Sequence, residues 1–331
     1  MVKKDDILIV RVTEELVAKA VEYAEKSLQY TYNRMGLANY YDRVRNIVSG
    51  VVMEGAFKKL LDYNNIKYDL LGNTHWTKKD RYDVGVDGHR YDAKGFFIKE
   101  PDKIKSIEKD KSWLLDCSAL VPADQVASRN LEEDDIYIFP FMTGRVIRNI
   151  DDVYDLFEKG QHNYLLHCFW DYSWTKNEEW NSLGKLILES KMREKILVRL
   201  GGQGEDKELL IEKIALIPMK VHKTDREFFT VLFVQTCGIP SGDLNIKSIK
   251  IKNPEKITVR DWGNIWLYDA LVYFPGFMTK GEFRNKSKKI PRFYKKCKQY
   301  GETKTENRML LVNELNSIKE LLPKKCEMFV P

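Results

Sequence analysis

The chain has 331 residues, of which 43% are hydrophobic and 31% charged, proportions that suit an ordinary globular protein with one large domain or a core carrying an inserted subdomain. The Met-Val-Lys-Lys-Asp-Asp start lacks an apolar stretch of the secretory kind, and no uninterrupted apolar run reaches about 18 residues, so neither export nor a membrane span is expected. Five scattered cysteines without C-x-x-C spacing point to reduced thiols in the cytoplasm, His162 and His167 lack partners for zinc, and a net charge of +6 permits a polyanionic partner without requiring one.

Residues 7–12 read as a short strand or an extended lead-in. Thr13 is placed to cap a helix over about 14–34, ending near Gly36. A second helix is expected over about 40–62, stopped at Asn64-Asn65. Between Ile47 and Leu61 it is apolar on nearly every side, which marks a helix buried in a larger core. Glu54 interrupts that surface. A buried carboxylate needs a partner: Lys58 one turn on or an Arg would serve, and so would a site assembled with the elements that follow. Residues 66–71 are expected as a strand, leading through a polar loop at 73–79.

Residues 82–86 and 90–97 then read as two strands joined by Asp87-Gly88. Asp-Gly between β-formers is a strong hairpin signal, because both turn positions require positive φ. With a two-residue loop the register follows by counting: Val86 faces His89, Gly85 faces Arg90, Val84 faces Tyr91 and Asp83 faces Asp92. Directly opposed side chains have Cβ atoms roughly 4.5–5.5 Å apart, so two carboxylates there repel unless a divalent cation lies between them. Hard cations such as Mg²⁺ are held by carboxylates, waters and phosphate oxygens. Strand alternation puts Lys94 on the face of Asp92 and turns Tyr91, Ala93 and Gly95 away. Two carboxylates and an amine thus converge; the alternative is a surface hairpin with solvated charges.

Residues 100–111 read as a charged, solvated connection, 113–121 as an apolar return to the sheet, 120–125 as a short helix or turn carrying Gln125, and 134–141 as a strand. A helix is expected over 149–159, closed by Gly160, and another over about 178–195. The aromatic residues between Tyr164 and Trp180 suit a subdomain core, the alternative being a platform for an extruded base. Gly201-Gly-Gln-Gly204 reads as a flexible turn, and 208–274 as a run of strands. Between Lys280 and Lys298 nine Lys or Arg stand against Glu282 alone, interleaved with Phe283, Phe293 and Tyr294. Such a run suits a phosphate backbone; a solvated loop flank is the alternative. Leu311, Leu315, Ile318 and Leu322 form the stripe of a terminal helix stopped by Pro323.

A helix acid (Glu54), a first Asp (Asp83), a hairpin and Asp92-Ala93-Lys94, in that order, resemble the PD-(D/E)XK nuclease superfamily. Tyr82 stands where the family often has Pro. The Gln125 segment and the Asp-Ile-Tyr strand extend the resemblance to type II restriction endonucleases over about residues 40–142. The resemblance implies an α/β fold with a restriction-endonuclease-like core, a mixed central sheet flanked by helices. Residues 1–142 and 265–331 would form that core and 143–264 a β-rich insertion or second lobe, a candidate for target recognition. It implies Mg²⁺ held by Asp83 and Asp92 with the Ala93 carbonyl, Glu54 supporting a ligand water or a second ion, and Lys94 orienting or helping to deprotonate the attacking water. Gln125 would place that water or a phosphate, or else be a capping or surface residue. The expected partner is double-stranded DNA, met by Lys280, Arg284, Lys286, Lys288, Lys289, Arg292, Lys295 and Lys296, with a homodimer left open. The expected activity is sequence-specific DNA cleavage in a restriction–modification system; a structure-specific repair or recombination nuclease and a non-cleaving DNA-binding module are the rivals.

Overall fold

The computed structural model describes residues 1–27, 40–72, 81–322 and 329–330. The polar loop at 73–79, the far end of the first helix and Pro323 lie outside the described residues. The chain divides into two compact units, one formed by Met1–Arg145 with Leu267–Pro331, the other by the contiguous segment Val146–Trp266. Both mix helices with several sheets, an α/β architecture. No helix among the described residues is long and apolar enough to cross a membrane.

The first unit starts with β1 (Leu8–Arg11), α1 (Glu14–Ser27) and α2 (Tyr40–Tyr63). There follow the hairpin β2 (Val84–Val86) and β3 (His89–Ala93), then β4 (Phe96–Ile98), α3 (Pro101–Lys109), β5 (Ser118–Pro122), α4 (Ala123–Ala127), β6 (Ile136–Ile138) and β7 (Phe141–Arg145). The second unit holds α5 (Ile150–Glu158), β8 (Leu165–Cys168), α6 (Tyr172–Thr175), β9 (Ile187–Ser190), β10 (Ile196–Gln203), β11 (Leu209–Leu216), β12 (Val221–Lys223), β13 (Thr230–Thr236), β14 (Leu244–Lys247), β15 (Glu255–Ile257) and β16 (Gly263–Asn264). The chain then returns with β17 (Tyr268–Phe274), β18 (Gly276–Thr279), α7 (Lys280–Lys286), β19 (Lys288–Ile290), β20 (Asn307–Leu311), β21 (Asn316–Ser317) and β22 (Phe329–Val330).

Two five-stranded sheets, β2-β3-β6-β18-β21 and β22-β1-β17-β7-β4, make the frame of the first unit. They are joined where three strands bend and continue: β3 into β4, β6 into β7, and β17 into β18. Hydrogen bonding runs across the crease, from Lys94 N–H to the Ile138 carbonyl (2.7 Å), Phe96 N–H to Pro140 (3.0 Å) and Phe139 N–H to Gly276 (3.2 Å). β3 runs parallel to β6, and β4 to β7, while β17 and β18 oppose them. The sheet is therefore mixed, and Lys94 sits on its crease.

α2 is buried on two sides, with Val48, Val52, Ala56 and Leu60 fully enclosed. Phe57 stacks on Tyr91 and tilts against Phe274, each at 5.9 Å between ring centroids. The other face of β6 carries Tyr137, which joins Phe139, Phe283, Val126 and Leu131 in a second core. In the second unit, β11-β10-β13-β8-β16 and β12-β9-β14-β15 enclose a core around Trp174, Phe228 and Trp262.

Five expectations fail on local structure. Residues 101–109 form the helix α3, with Ile104 and Ile107 buried, instead of a solvated connection. The helix expected over 178–195 is absent; Leu188 and Ser190 alternate inward on β9. Gly201 and Gly202 lie inside β10 at a register shift, where a Cβ would collide with the Phe233 ring and the Thr230 carbonyl. The terminal stripe is not an α-helix: Leu311 is exposed at the end of β20, and Val312, Leu315 and Ile318 are buried by two short 3₁₀ turns around β21. Residues 66–71 contribute one bridge, Asp69 to Gly85.

Candidate active site

The β2–β3 hairpin has the register that counting from Asp87-Gly88 dictates: Val84 opposite Tyr91, Gly85 opposite Arg90, Val86 opposite His89. Asp87 and Gly88 adopt φ of 50° and 85°, the two positive values a right-twisted two-residue turn needs. At the open end Asp83 leaves the simple ladder. Its N–H donates to the Tyr91 carbonyl (2.9 Å), and its Oδ2 accepts from the Ala93 N–H (2.6 Å). Asp83 is thereby locked against the strand that carries Asp92 and Lys94. The Ala93 contact made here uses its N–H, not the carbonyl expected as a ligand.

Asp92 Oδ2 accepts from the Lys94 ammonium at 2.5 Å, with both side chains largely buried. Glu54, on α2, acts on the same spot. The helix packs on the crease through Met53, whose flexible end lies over Gly95, where a Cβ would displace it. Burial, then the charge of Glu54, then that of Asp92 hold the Asp83 carboxyl well above the usual carboxylate range, against smaller opposing effects of the Ala93 N–H and Lys94. Three carboxylates and one amine thus act on one another. Among the described residues no three His, Cys, Asp or Glu side chains are drawn together to metal-ligand distance; Asp92 instead holds Lys94.

Three residues that sequence reasoning passed over build the surroundings. Asp135, buried at the start of β6, accepts from the backbone N–H groups of Arg90 (2.8 Å) and Glu132 (2.6 Å). The Arg90 side chain returns to Glu132 (3.3 Å) and the Asn130 carbonyl (3.3 Å), tying the hairpin to the 128–135 loop. Tyr137 lies directly beside Asp92 in the parallel ladder, and Lys94 Nζ is 5.6 Å from its ring centroid. The Asp-Asp-Ile-Tyr text marked a strand start, but nothing in it marked these partners.

Gln125 lies on α4, partly buried; among the described residues no hydrogen bond links its side chain to the carboxylates. The basic segment divides. Lys280 is a correction: its side chain is buried and Nζ donates to the carbonyls of Ser128 (2.6 Å) and Leu131 (2.7 Å), so it fixes a loop and cannot face a nucleic acid. Arg284 pairs with Glu133, Lys286 with Glu282 and Lys289 with Glu306. Lys288, Arg292, Lys295 and Lys296 are exposed. A cavity of about 850 Å³ between α4, the 128–133 loop and α7 is lined by both signs of charge, including Arg129, Arg308, Glu132 and Glu306. No protein-family model, curated protein or solved structure matches the chain.

Proposed function

We propose that the chain is a Mg²⁺-dependent endonuclease that hydrolyses DNA phosphodiester bonds, a PD-(D/E)XK nuclease resembling type II restriction endonucleases. The observation that carries this is the buried Asp83, on which the charges of Glu54 and Asp92 act, beside the Asp92–Lys94 ion pair. Further support comes from the mixed sheet, in which the acid-bearing hairpin strand runs parallel to its neighbour β6, and from the buried helix that supplies Glu54.

The donor chemistry fits a hard divalent cation. Carboxylate oxygens are the ligands such ions take, and burial, followed by the charges of Glu54 and Asp92, raises Asp83 in a way that a cation would offset. Asp83 and Asp92 would hold it once Asp92 parts from Lys94, with Glu54 supporting a ligand water. A divalent cation there would neutralise phosphate charge and make a bound water more acidic. Lys94 donates hydrogen bonds that orient the attacking water and stabilise charge on the phosphate. Hydrolysis forms a P–O bond to the water oxygen and breaks the bond from phosphorus to the 3′-oxygen. The water gives up a proton and the leaving oxygen takes one, which leaves a 5′-phosphate and a 3′-hydroxyl. Lys288, Arg292, Lys295 and Lys296 are the exposed cations available for the DNA backbone, and the inserted unit is the candidate for target reading.

Unmethylated phage DNA incubated with the protein and Mg²⁺ tests this. A reproducible set of discrete fragments is expected of a sequence-reading enzyme. Cleavage confined to branched or nicked substrates would assign a repair or recombination nuclease with the same site, and intact DNA throughout would remove the nuclease assignment.

A further inference from the structure

The Tyr137 hydroxyl is enclosed and has no hydrogen-bond partner among the described residues, in a side chain that is 1% exposed. Its ring meets Phe283 edge-on at 5.9 Å and Phe139 at 6.4 Å, contacts that phenylalanine would make equally well. A buried hydroxyl without a partner costs folding free energy, so packing alone favours Phe at this position. The site lies beside this ring. Tyr137 is the ladder neighbour of Asp92, Lys94 Nζ lies 5.6 Å from its ring, and Lys94 is bound to Asp92. A phenol is protonated at neutral pH and therefore a donor.

Resting on the hydrolase assignment above, we propose that Tyr137 is a positioning residue of this site: its ring carries the Lys94 ammonium, and its hydroxyl donates to Asp92 when Lys94 turns to the substrate. Asp92 then keeps a donor, and its orientation, through the part of the cycle in which Lys94 is engaged elsewhere. In the resting state Lys94 engages Asp92 Oδ2, and no hydrogen bond joins Asp92 to the hydroxyl.

Tyr137→Phe removes the hydroxyl and keeps the ring. The expected result is a kcat on DNA lowered by about ten-fold or more, with KM within about two-fold of the parent, since the interaction is made after binding. The metal-free variant should melt at or above the parent temperature, because an unsatisfied donor has been removed. Tyr137→Leu, which also removes the ring, should lower kcat further. An unchanged kcat in Tyr137→Phe overturns the proposal, as does a lowered melting temperature, which would make the hydroxyl structural. If the parent protein itself leaves DNA intact with Mg²⁺, the hydrolase assignment fails; an active parent with an equally active Tyr137→Phe sinks the Tyr137 role alone.

Discussion

Asp83 is held by its backbone in a place its charge disfavours. Two hydrogen bonds fix it, while burial and the charges of Glu54 and Asp92 raise its pKa. A raised carboxyl binds its proton more tightly when folded than when unfolded, so the stability it allows is complete below the unfolded pKa of about 3.9. That stability is lost as pH rises through the higher folded value. The metal-free parent should therefore lose stability from about pH 4 upward, and Asp83→Asn should flatten the loss and be the more stable protein at neutral pH. Melting temperatures from pH 4 to 8 in chelator check this; a parent as flat as the variant would show that Asp83 is not under repulsion. Asp92 behaves in the opposite way. Counting the hairpin register alone makes Asp92 a second repelling acid whose removal relieves strain, but the structure pairs it with Lys94. Asp92→Ala should cost roughly 1–3 kcal/mol in denaturant unfolding, less than the 3–5 of a fully buried pair, because it strands a mostly buried ammonium. A variant more stable than the parent would contradict the pairing.

At the scale of elements, the hairpin was legible because Asp87-Gly88 combines a turn signal with strand alternation on either side, and together they leave one register. α2 was legible from its length and its apolar surface. The failures share a cause: sparse apolar residues at spacings that two structures satisfy. Ile104 and Ile107 are a narrow helical stripe in a charged segment, too thin to read as amphipathic. Leu311, Leu315, Ile318 and Leu322 fit a helical period, yet Glu314 and Glu320 cap backbone N–H groups of Leu311 and Ser317 and close 3₁₀ turns. The basic segment was read by sign alone, and sign does not tell a solvated cation from one that binds carbonyls. Replacing Lys288, Arg292, Lys295 and Lys296 together should lower the slope of log K for DNA against log salt, by about 0.9 for each phosphate that is no longer neutralised. Lys280→Met should leave the slope unchanged and cost about 1–3 kcal/mol of stability by stranding two carbonyls. An unaltered slope in the quadruple variant would place the DNA-binding surface elsewhere, and a slope changed by Lys280→Met would contradict its burial.

For the whole molecule, the strand-rich pattern led to an expected lobe over 143–264, and no pattern pointed to the partners that enclose the candidate site. Residues 146–266 form a contiguous unit with a core of its own, including Trp174, Phe228, Val234 and Leu244. Expressed alone, this segment should unfold cooperatively in denaturant; a non-cooperative transition would show that it depends on the remainder. The strand partner of Asp92 comes from pairing across the chain, β3 with β6, and so does the tie from Arg90 to Asp135. No local pattern encodes such pairings, which is why Arg90, Asp135 and Tyr137 emerged only from the fold. The central claim is that the carboxylates around Asp83 and the Lys94 amine carry out DNA hydrolysis. Its most direct measurement is cleavage of unmethylated duplex DNA by the parent and by folded Asp92→Ala, side by side, with Mg²⁺ and with chelator. The account predicts cutting by the parent with Mg²⁺ only, and none by the variant, although the variant still binds DNA. Equal cutting by the two proteins, or cutting by the parent in chelator, would contradict it.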